Sequence, residues 1–536
     1  MEFSVRRSGF VSLLAGLMLV IGGAPALAHD TGLAINPDET TPIERQTDNV
    51  TLVAHHWFPD GTDMQFQRRE GKQTLDGQII DETRDFVFAG GDAKSGGDAG
   101  GIHVFDITDP TLPQHIADIQ CRGYHSDIAL YENLMVQSTD SSGSNTGCTE
   151  DAQRAYDPDE LSQSGRSGVR IYDITDPAHP VVVAFLDAEE GIGNGGSHNI
   201  TVVPWAGLLY LAQAGFTPDG SFTIVDLKDP SFPVTQISMQ TVAPGSADVC
   251  HDIGLDPVRE LAFCADIGTT HILDIADPMN PTLVTTIVNN GLSIHHGARL
   301  AGDGNTLVLG DEFAGAADQN LPSSPLGADS GAGANGCIGE PTAGALWFYD
   351  LSIAVEAPIL MGSFAPTTPE PTASPCTAHF YNSVPDSTLV VTGWYEGGLI
   401  VTDFSEIYPL SEYAVFLPEL GNFWSGYYWH GYLYGNSRTI ESKGFGGGLW
   451  IVQVDGIEDA EPSPGDEGTT WARWTSQLGG SPAVVTAAPA EPDASAPVPT
   501  SSELPATGNG FALASLALFG AYLALRWRNK VIVGSR

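Results

Sequence analysis

The chain predicts an all-β fold: a seven-bladed β-propeller, its ring closed by an N-terminal strand that completes the last blade. Three observations lead there. A short motif recurs seven times, each copy sits among the same apolar strands, and turn formers abound, with 62 Gly and 36 Pro in 536 residues. Four-stranded units joined by tight turns and repeated at about 50 residues are the blades of a propeller.

The motif is two or three apolar residues, Asp, an apolar residue and often Asp-Pro. Full copies read Val104-Phe105-Asp106-Ile107-Thr108-Asp109-Pro110, Ile171-Tyr172-Asp173-Ile174-Thr175-Asp176-Pro177, Ile224-Val225-Asp226-Leu227-Lys228-Asp229-Pro230 and Ile272-Leu273-Asp274-Ile275-Ala276-Asp277-Pro278. Shorter ones are Phe348-Tyr349-Asp350-Leu351, Val401-Thr402-Asp403-Phe404 and the degenerate Ile451-Val452-Gln453-Val454. Upstream of each lies an apolar strand such as Leu209-Tyr210-Leu211-Ala212. Downstream, Pro-led alternation gives another, as in Pro180-Val181-Val182-Val183-Ala184-Phe185. The motif Asp sits where its carboxylate can hold turn backbone; calcium binding is the other role open to it. After Val454 no fourth strand follows. Val50-Thr51-Leu52-Val53-Ala54-His55-His56, ahead of the first blade, is a strand without a unit. Pairing the two closes the ring and removes both exposed edges. The propeller is thus expected over residues 49–455, behind an N-terminal segment 29–48.

These repeats, Ile224-Val225-Asp226 and Ile272-Leu273-Asp274 most clearly, resemble the LVIVD-repeat family over about Asp85 to Asp455. The resemblance implies an extracellular seven-bladed propeller with a surface anchor. It implies no activity.

Six cysteines, Cys121, Cys148, Cys250, Cys264, Cys337 and Cys376, suit disulfides in a secreted chain. Cys250 and Cys264 flank the Asp256-Pro257 turn between the first two strands of blade four, so they are expected to face each other. The blade pattern would pair Cys121 with Cys148 and Cys337 with Cys376, stapling long insertions at about 140–168 and 312–344 onto one face.

One constellation can carry chemistry. Five successive blades begin their inner strand with His: His125, His198, His251, His296 and His379, with Trp424 in the same place in blade seven. Innermost strands line a propeller's channel, so these rings should circle its mouth. Two roles are open to them. Each ring can bond backbone of the adjacent blade, as a feature copied with the repeat. Neutral imidazoles can also ligate a transition metal, Zn, Fe or Cu. Second strands end near Asp92, Asp140, Asp266, Asp311, Glu312 and Glu396; these read as a solvated acidic rim, as partners that orient the His rings or as a site for Ca. The aromatics Phe423, Trp424, Tyr427, Tyr428, Trp429, Tyr432 and Tyr434 read as blade-seven core, with a sugar- or protein-binding patch as the alternative. No nucleophile elbow, phosphate loop or His-Glu-x-x-His motif occurs.

Both ends carry targeting patterns. Residues 1–28 combine Arg6 and Arg7, the apolar stretch Phe10–Gly23 and the small-residue site Ala26-Leu27-Ala28, the form of a cleaved signal peptide. Leu504-Pro505-Ala506-Thr507-Gly508, the hydrophobic segment 511–525 and the basic tail Arg526, Arg528 and Lys530 resemble an LPxTG cell-wall sorting signal. That resemblance implies a sortase as partner and Thr507 joined to the cell wall; the alternative is a plain transmembrane helix as membrane anchor. Residues 456–503, rich in Pro, Ala and acidic side chains, read as a disordered linker.

The net charge is −44, from 22 basic and 66 acidic residues. With so few Lys and Arg there is no basic patch, which excludes nucleic acid. The functional expectation is a secreted, surface-anchored, monomeric binding module for an unidentified protein, peptide or glycan. The alternative is a metal-dependent enzyme, hydrolase or oxidoreductase, built on the five His residues.

Overall fold

The structure, a computed structural model, describes residues 42–91, 101–119, 121, 125–139, 168–187, 197–212, 221–228, 237–241, 250–312, 344–366, 376–406, 410–419, 421–438 and 447–462. All belong to one compact unit, Met1–Ser481. The expected signal peptide, most of the expected linker, and the expected sorting signal with its hydrophobic segment lie outside the described residues, as do Asp92, Asp140, Cys148 and Cys337. No described helix is long and apolar enough to cross a membrane.

Every element named is a strand. Two precede the first blade, β1 (Ile43–Gln46) and β2 (Val50–His56). Blade 1 holds β3 (Gly61–Arg69), a small hairpin of β4 (Lys72–Leu75) and β5 (Gln78–Asp81), then β6 (Arg84–Gly91), β7 (Gly101–Asp106) and β8 (Gln114–Ile119). Blade 2 is β9 (Ile128–Tyr131), β10 (Leu134–Thr139), β11 (Gly168–Asp173) and β12 (Val181–Asp187); blade 3 is β13 (Asn199–Val203), β14 (Leu208–Ala212), β15 (Ser221–Asp226) and β16 (Ile237–Thr241). Blade 4 follows with β17 (Asp252–Asp256), β18 (Leu261–Asp266), β19 (Thr269–Asp274) and β20 (Thr282–Ile287), and blade 5 with β21 (His295–Leu300), β22 (Thr306–Asp311), β23 (Leu346–Asp350) and β24 (Ile359–Phe364). Blade 6 is β25 (Ala378–Ser383), β26 (Leu389–Trp394), β27 (Gly398–Asp403) and β28 (Ser411–Pro418). Blade 7 is β29 (Phe423–Trp429), β30 (Tyr432–Ser437) and β31 (Gly448–Val454), completed by β2.

The ring closes as the repeat pattern predicts. β2 pairs antiparallel with β31, Leu52 opposite Val452 and, past a bulge, Ala54 opposite Ile451. His55 stacks on Trp450 with ring centroids 3.5 Å apart, and its Nε2 lies 3.0 Å from the Gly447 carbonyl oxygen. Two features go beyond the sequence reading. β1 adds a fifth strand on the outer edge of β28, so the propeller begins ahead of residue 49. Residues past Val454 also stay packed: Ile457 is buried and the Tyr428 hydroxyl donates to the Glu458 carbonyl at 3.0 Å, inside the expected linker.

Burial explains the near-continuous apolar strands. The described residues form seven core clusters, one in each gap between blades. Successive side chains point to opposite faces of a strand, so Phe86 and Phe88 fill the gap toward blade 2 while Val87 and Ala89 fill the gap toward blade 7. Neighbouring blades approach so closely that a Cβ on Gly254 would run into the Ala298 carbonyl, and one on Gly426 into the Gly393 backbone. β25 and β29 even pair directly, in parallel, Phe380 opposite Ser425.

The motif Asp is a turn clamp. Asp106, Asp173, Asp226, Asp274, Asp350 and Asp403 each accept the N–H two residues on, at 2.7–3.0 Å. The buried apolar residue that follows donates its own N–H back to the residue leading into the second strand, as Ile107 does to Asp85 and Leu227 to Gly207. Cys250 and Cys264 are joined, with Cα atoms 5.2 Å apart. Cys121 and Cys376 each take part in a separate disulfide.

Removing residues 43–56 should expose the edges of β28 and β31 and abolish the single cooperative unfolding transition, which urea denaturation followed by tryptophan fluorescence will show. The Cys250→Ser/Cys264→Ser double variant should lose about 3 kcal/mol of unfolding free energy, the entropy of the short loop the bond closes.

Candidate metal centre

Each predicted His stands at the same end of its inner strand. His125, His198 and His251 lie just before β9, β13 and β17; His296, His379 and Trp424 are the second residues of β21, β25 and β29. The structure brings all six rings into one closed circle. Going round, centroid distances are 3.7 Å for His125–His198, 4.5 Å for His198–His251, 4.4 Å for His251–His296 and 4.3 Å for His296–His379. His379–Trp424 at 4.4 Å and Trp424–His125 at 4.7 Å complete it.

The belt beneath is held by bonds from one blade to the next. Ser425 Oγ donates to the Thr62 carbonyl at 2.8 Å, Ile200 N–H to Asp127 Oδ2 at 2.6 Å and Asn199 Nδ2 to the His251 carbonyl at 2.9 Å. Asp252 pairs with Arg299 at 2.7 Å. Asn382 donates to the Tyr428 carbonyl and accepts its N–H. His125 has φ of 78°, the left-handed region that non-glycine residues avoid. Backbone strain of this kind persists where the surroundings over-determine it.

The backbone-bonding role read from the sequence is present in two of the rings. His251 Nδ1 sits 3.1 Å from the His296 carbonyl, and His379 Nδ1 sits 2.7 Å from the Trp424 carbonyl, each on the next blade. A backbone carbonyl on one nitrogen fixes the tautomer and leaves the other as a lone-pair donor. His379 Nε2 has no hydrogen bond, and neither has His125 Nδ1 or either nitrogen of the fully buried His296.

Glu312 faces these rings. Its two oxygens lie 3.4 Å from His296 Nε2 and 3.6 Å from His379 Nε2. Donor atoms of His251, His296 and Glu312 lie within 4.8 Å of one another. Tetrahedral donors with bonds of about 2.1 Å stand about 3.4 Å apart, which matches the two Glu312 spacings. Burial first, then repulsion from neighbouring rings, holds His125 and His296 well below the usual imidazole range. Burial does the same to His251 and His379 against their carbonyl contacts. These imidazoles are neutral at pH 7, the form that binds metal. Burial pushes Glu312 up.

Glu312, read with the rim, shares one group of donor atoms with His251 and His296 and lies 3.6 Å from His379 Nε2, while His125 and His198 touch their neighbours in the circle by tilted and edge-on ring contacts. Arg438 lies 4.1 Å over the Trp424 ring, a neighbour the sequence did not suggest. The solvated-rim reading fails for two residues. Asp311 is fully buried and accepts backbone N–H from Ser293, Ile294 and Gly344. Asp266 is buried against His271 Nε2 at 2.6 Å. The blade-seven aromatics Phe423, Trp424, Tyr427, Tyr428 and Trp429 are all buried, as core packing requires.

No protein-family model matches the chain, and no curated protein sequence does either. Among solved structures it is similar to the β-propeller domain of Myceliophteria thermophila Cps50 (Swd1), at 9% identity and a TM-score of 0.43, covering 76% of this chain and 99% of that one. It is also similar to the WD40 repeats of RRP9, at 10% identity and a TM-score of 0.42, covering 77% and 99%. The protein is a seven-bladed β-propeller on its own sheet order.

One buried acid beside the ring sets a pH dependence. Asp63 is pushed up to about 6 by burial, against hydrogen bonds from Tyr427 and the Ile128 N–H. An acid raised on folding binds more protons in the folded state than in the unfolded one, so its contribution is lost as pH rises. The urea midpoint should fall between pH 4 and pH 7, and Asp63→Asn should flatten that slope.

Proposed function

We propose that this protein is an extracellular, envelope-anchored binding module whose binding element is a mononuclear transition-metal centre on the propeller axis. His251, His296, His379 and Glu312 would hold the ion, with Zn, Fe or Cu as the chemically matched metals. His125, His198 and Trp424 wall the site with aromatic rings. The observation that carries this reading is the pairing of tied and untied nitrogens. Nδ1 of His251 and of His379 is committed to a carbonyl of the next blade, while His379 Nε2 and both nitrogens of His296 have no hydrogen bond. Leaving a buried polar atom unsatisfied costs about 1–3 kcal/mol, and a metal ion removes that cost.

Secretion and anchoring rest on the signal-like segment 1–28 and on Leu504-Pro505-Ala506-Thr507-Gly508. In this reading a sortase joins Thr507 to the cell wall, and the acidic Pro- and Ala-rich linker holds the propeller away from the membrane. The low basic content suits an outward-facing surface and no nucleic-acid partner.

Elemental analysis of the purified chain tests the centre. At least one equivalent of Zn, Fe or Cu should copurify, and His296→Ala and Glu312→Gln should each lose one equivalent while keeping the far-ultraviolet spectrum. A chain with no transition metal, taking up none when Zn2+, Fe2+ or Cu2+ is supplied, overturns the centre and leaves a metal-free interaction module.

A further inference from the structure

A second set of metal-type donors lies at the seam where the closing strand meets blade 1, on the outer strands rather than the inner ones. Register brings it together. His103 on β7 stands directly opposite Asp118 on β8, and His115 on β8 stands opposite Phe105, across a bulge that realigns the outer strand. Side chains opposite one another share a sheet face. His103 Nδ1 lies 2.6 Å from Asp118 Oδ1, and His115 Nε2 lies 2.9 Å from the same oxygen. The donors of all three residues lie within 4.8 Å of one another.

The far wall comes from the closing strand and the residues after it. Phe58 stacks on His103 with centroids 4.1 Å apart, and His56 lies 4.8 Å from Phe105 and 5.1 Å from His115. The pocket is thus apolar on one side and open to solvent on the other, where 40% of the Asp118 side chain is exposed.

We propose that this seam binds a second divalent transition-metal ion of the zinc class, held by His103 Nδ1, His115 Nε2 and the Asp118 carboxylate. Two imidazoles and a carboxylate around one point, with one side open to water, are the donor set and coordination that zinc takes. His115 Nε2 shows why a cation fits better than a proton. It is buried and within 2.9 Å of a carboxylate oxygen, yet makes no aligned hydrogen bond. Binding asks Asp118 to swing outward by about half an ångström, which its exposed position allows. The protonation states agree with this geometry. Burial would raise Asp118, but the hydrogen bond from His103 and the closeness of both imidazoles outweigh it and hold the carboxyl well below its usual range. Burial also lowers His103, against the pull of Asp118. Once loaded, the ion would tie the last two strands of blade 1 together where the closing strand passes.

Co2+ titrated into the full chain after chelation tests this, read by visible absorption and elemental stoichiometry. Wild type should take two ions, His115→Gln and Asp118→Asn one each, and the axial variant His296→Ala one. The seam variants should also weaken the second binding step at least tenfold, and His103→Gln provides an independent variant should either of the others unfold. Seam variants that bind as many ions as wild type overturn the proposal. Seam variants that lose one ion while His296→Ala loses none uphold this site and overturn the axial centre instead.

Discussion

The pairing of β2 with β31 is the constraint on which the rest of this molecule depends. Seven sheets round an axis cannot share seven cores unless the last meets the first. The gap between blades 7 and 1 is filled by Phe66, Phe105, Trp424, Tyr427, Trp429 and Ile451, drawn from both ends of the chain. Without β2 that gap loses Ala54, and β31 presents an unpaired edge. β1 extends the same solution one blade back, so blades 6 and 7 are both finished by N-terminal residues.

Closure also fixes what the axis can hold. Because each blade is bonded to the next through Asp, Asn, Ser, Thr or the backbone, the six ring positions cannot drift apart separately. Asn199, for example, reaches the carbonyl of His251, which in turn directs its Nδ1 to the carbonyl of His296. The same imidazole thus serves as an inter-blade strut, and that strut sets its tautomer and leaves its other nitrogen turned away from the bond.

Much of the fold was legible in the sequence because the repeat reports it directly. The Asp clamp has one geometry in six blades, and the degenerate seventh copy, Ile451-Val452-Gln453-Val454, marks the blade that lacks a strand. The circle of rings was legible for the same reason: equivalent positions in a cyclic fold converge. Glu312 was harder. It follows β22, beside a long insertion, and the rim pattern did not distinguish it from Asp311, whose carboxylate is spent on backbone amides. The seam cluster was not legible at all. His103, His115 and Asp118 become neighbours only through a bulge that shifts β8 by one residue, and no local pattern announces a bulge. β1 was missed because four residues of alternating exposure make a weak strand signal.

The long span of the closing contact bears on how the chain reaches its fold. His55 and Gly447 meet across 392 positions of sequence. Pairings of such range form slowly, because loop entropy is lost before any contact repays it. A chain emerging N-terminus first therefore presents β2 as a bare, adhesive strand until nearly the whole propeller has been delivered. Its early blades can assemble in turn as neighbouring repeats. The first and last blades cannot, and their shared gap is the point at which incomplete molecules would exchange strands with one another.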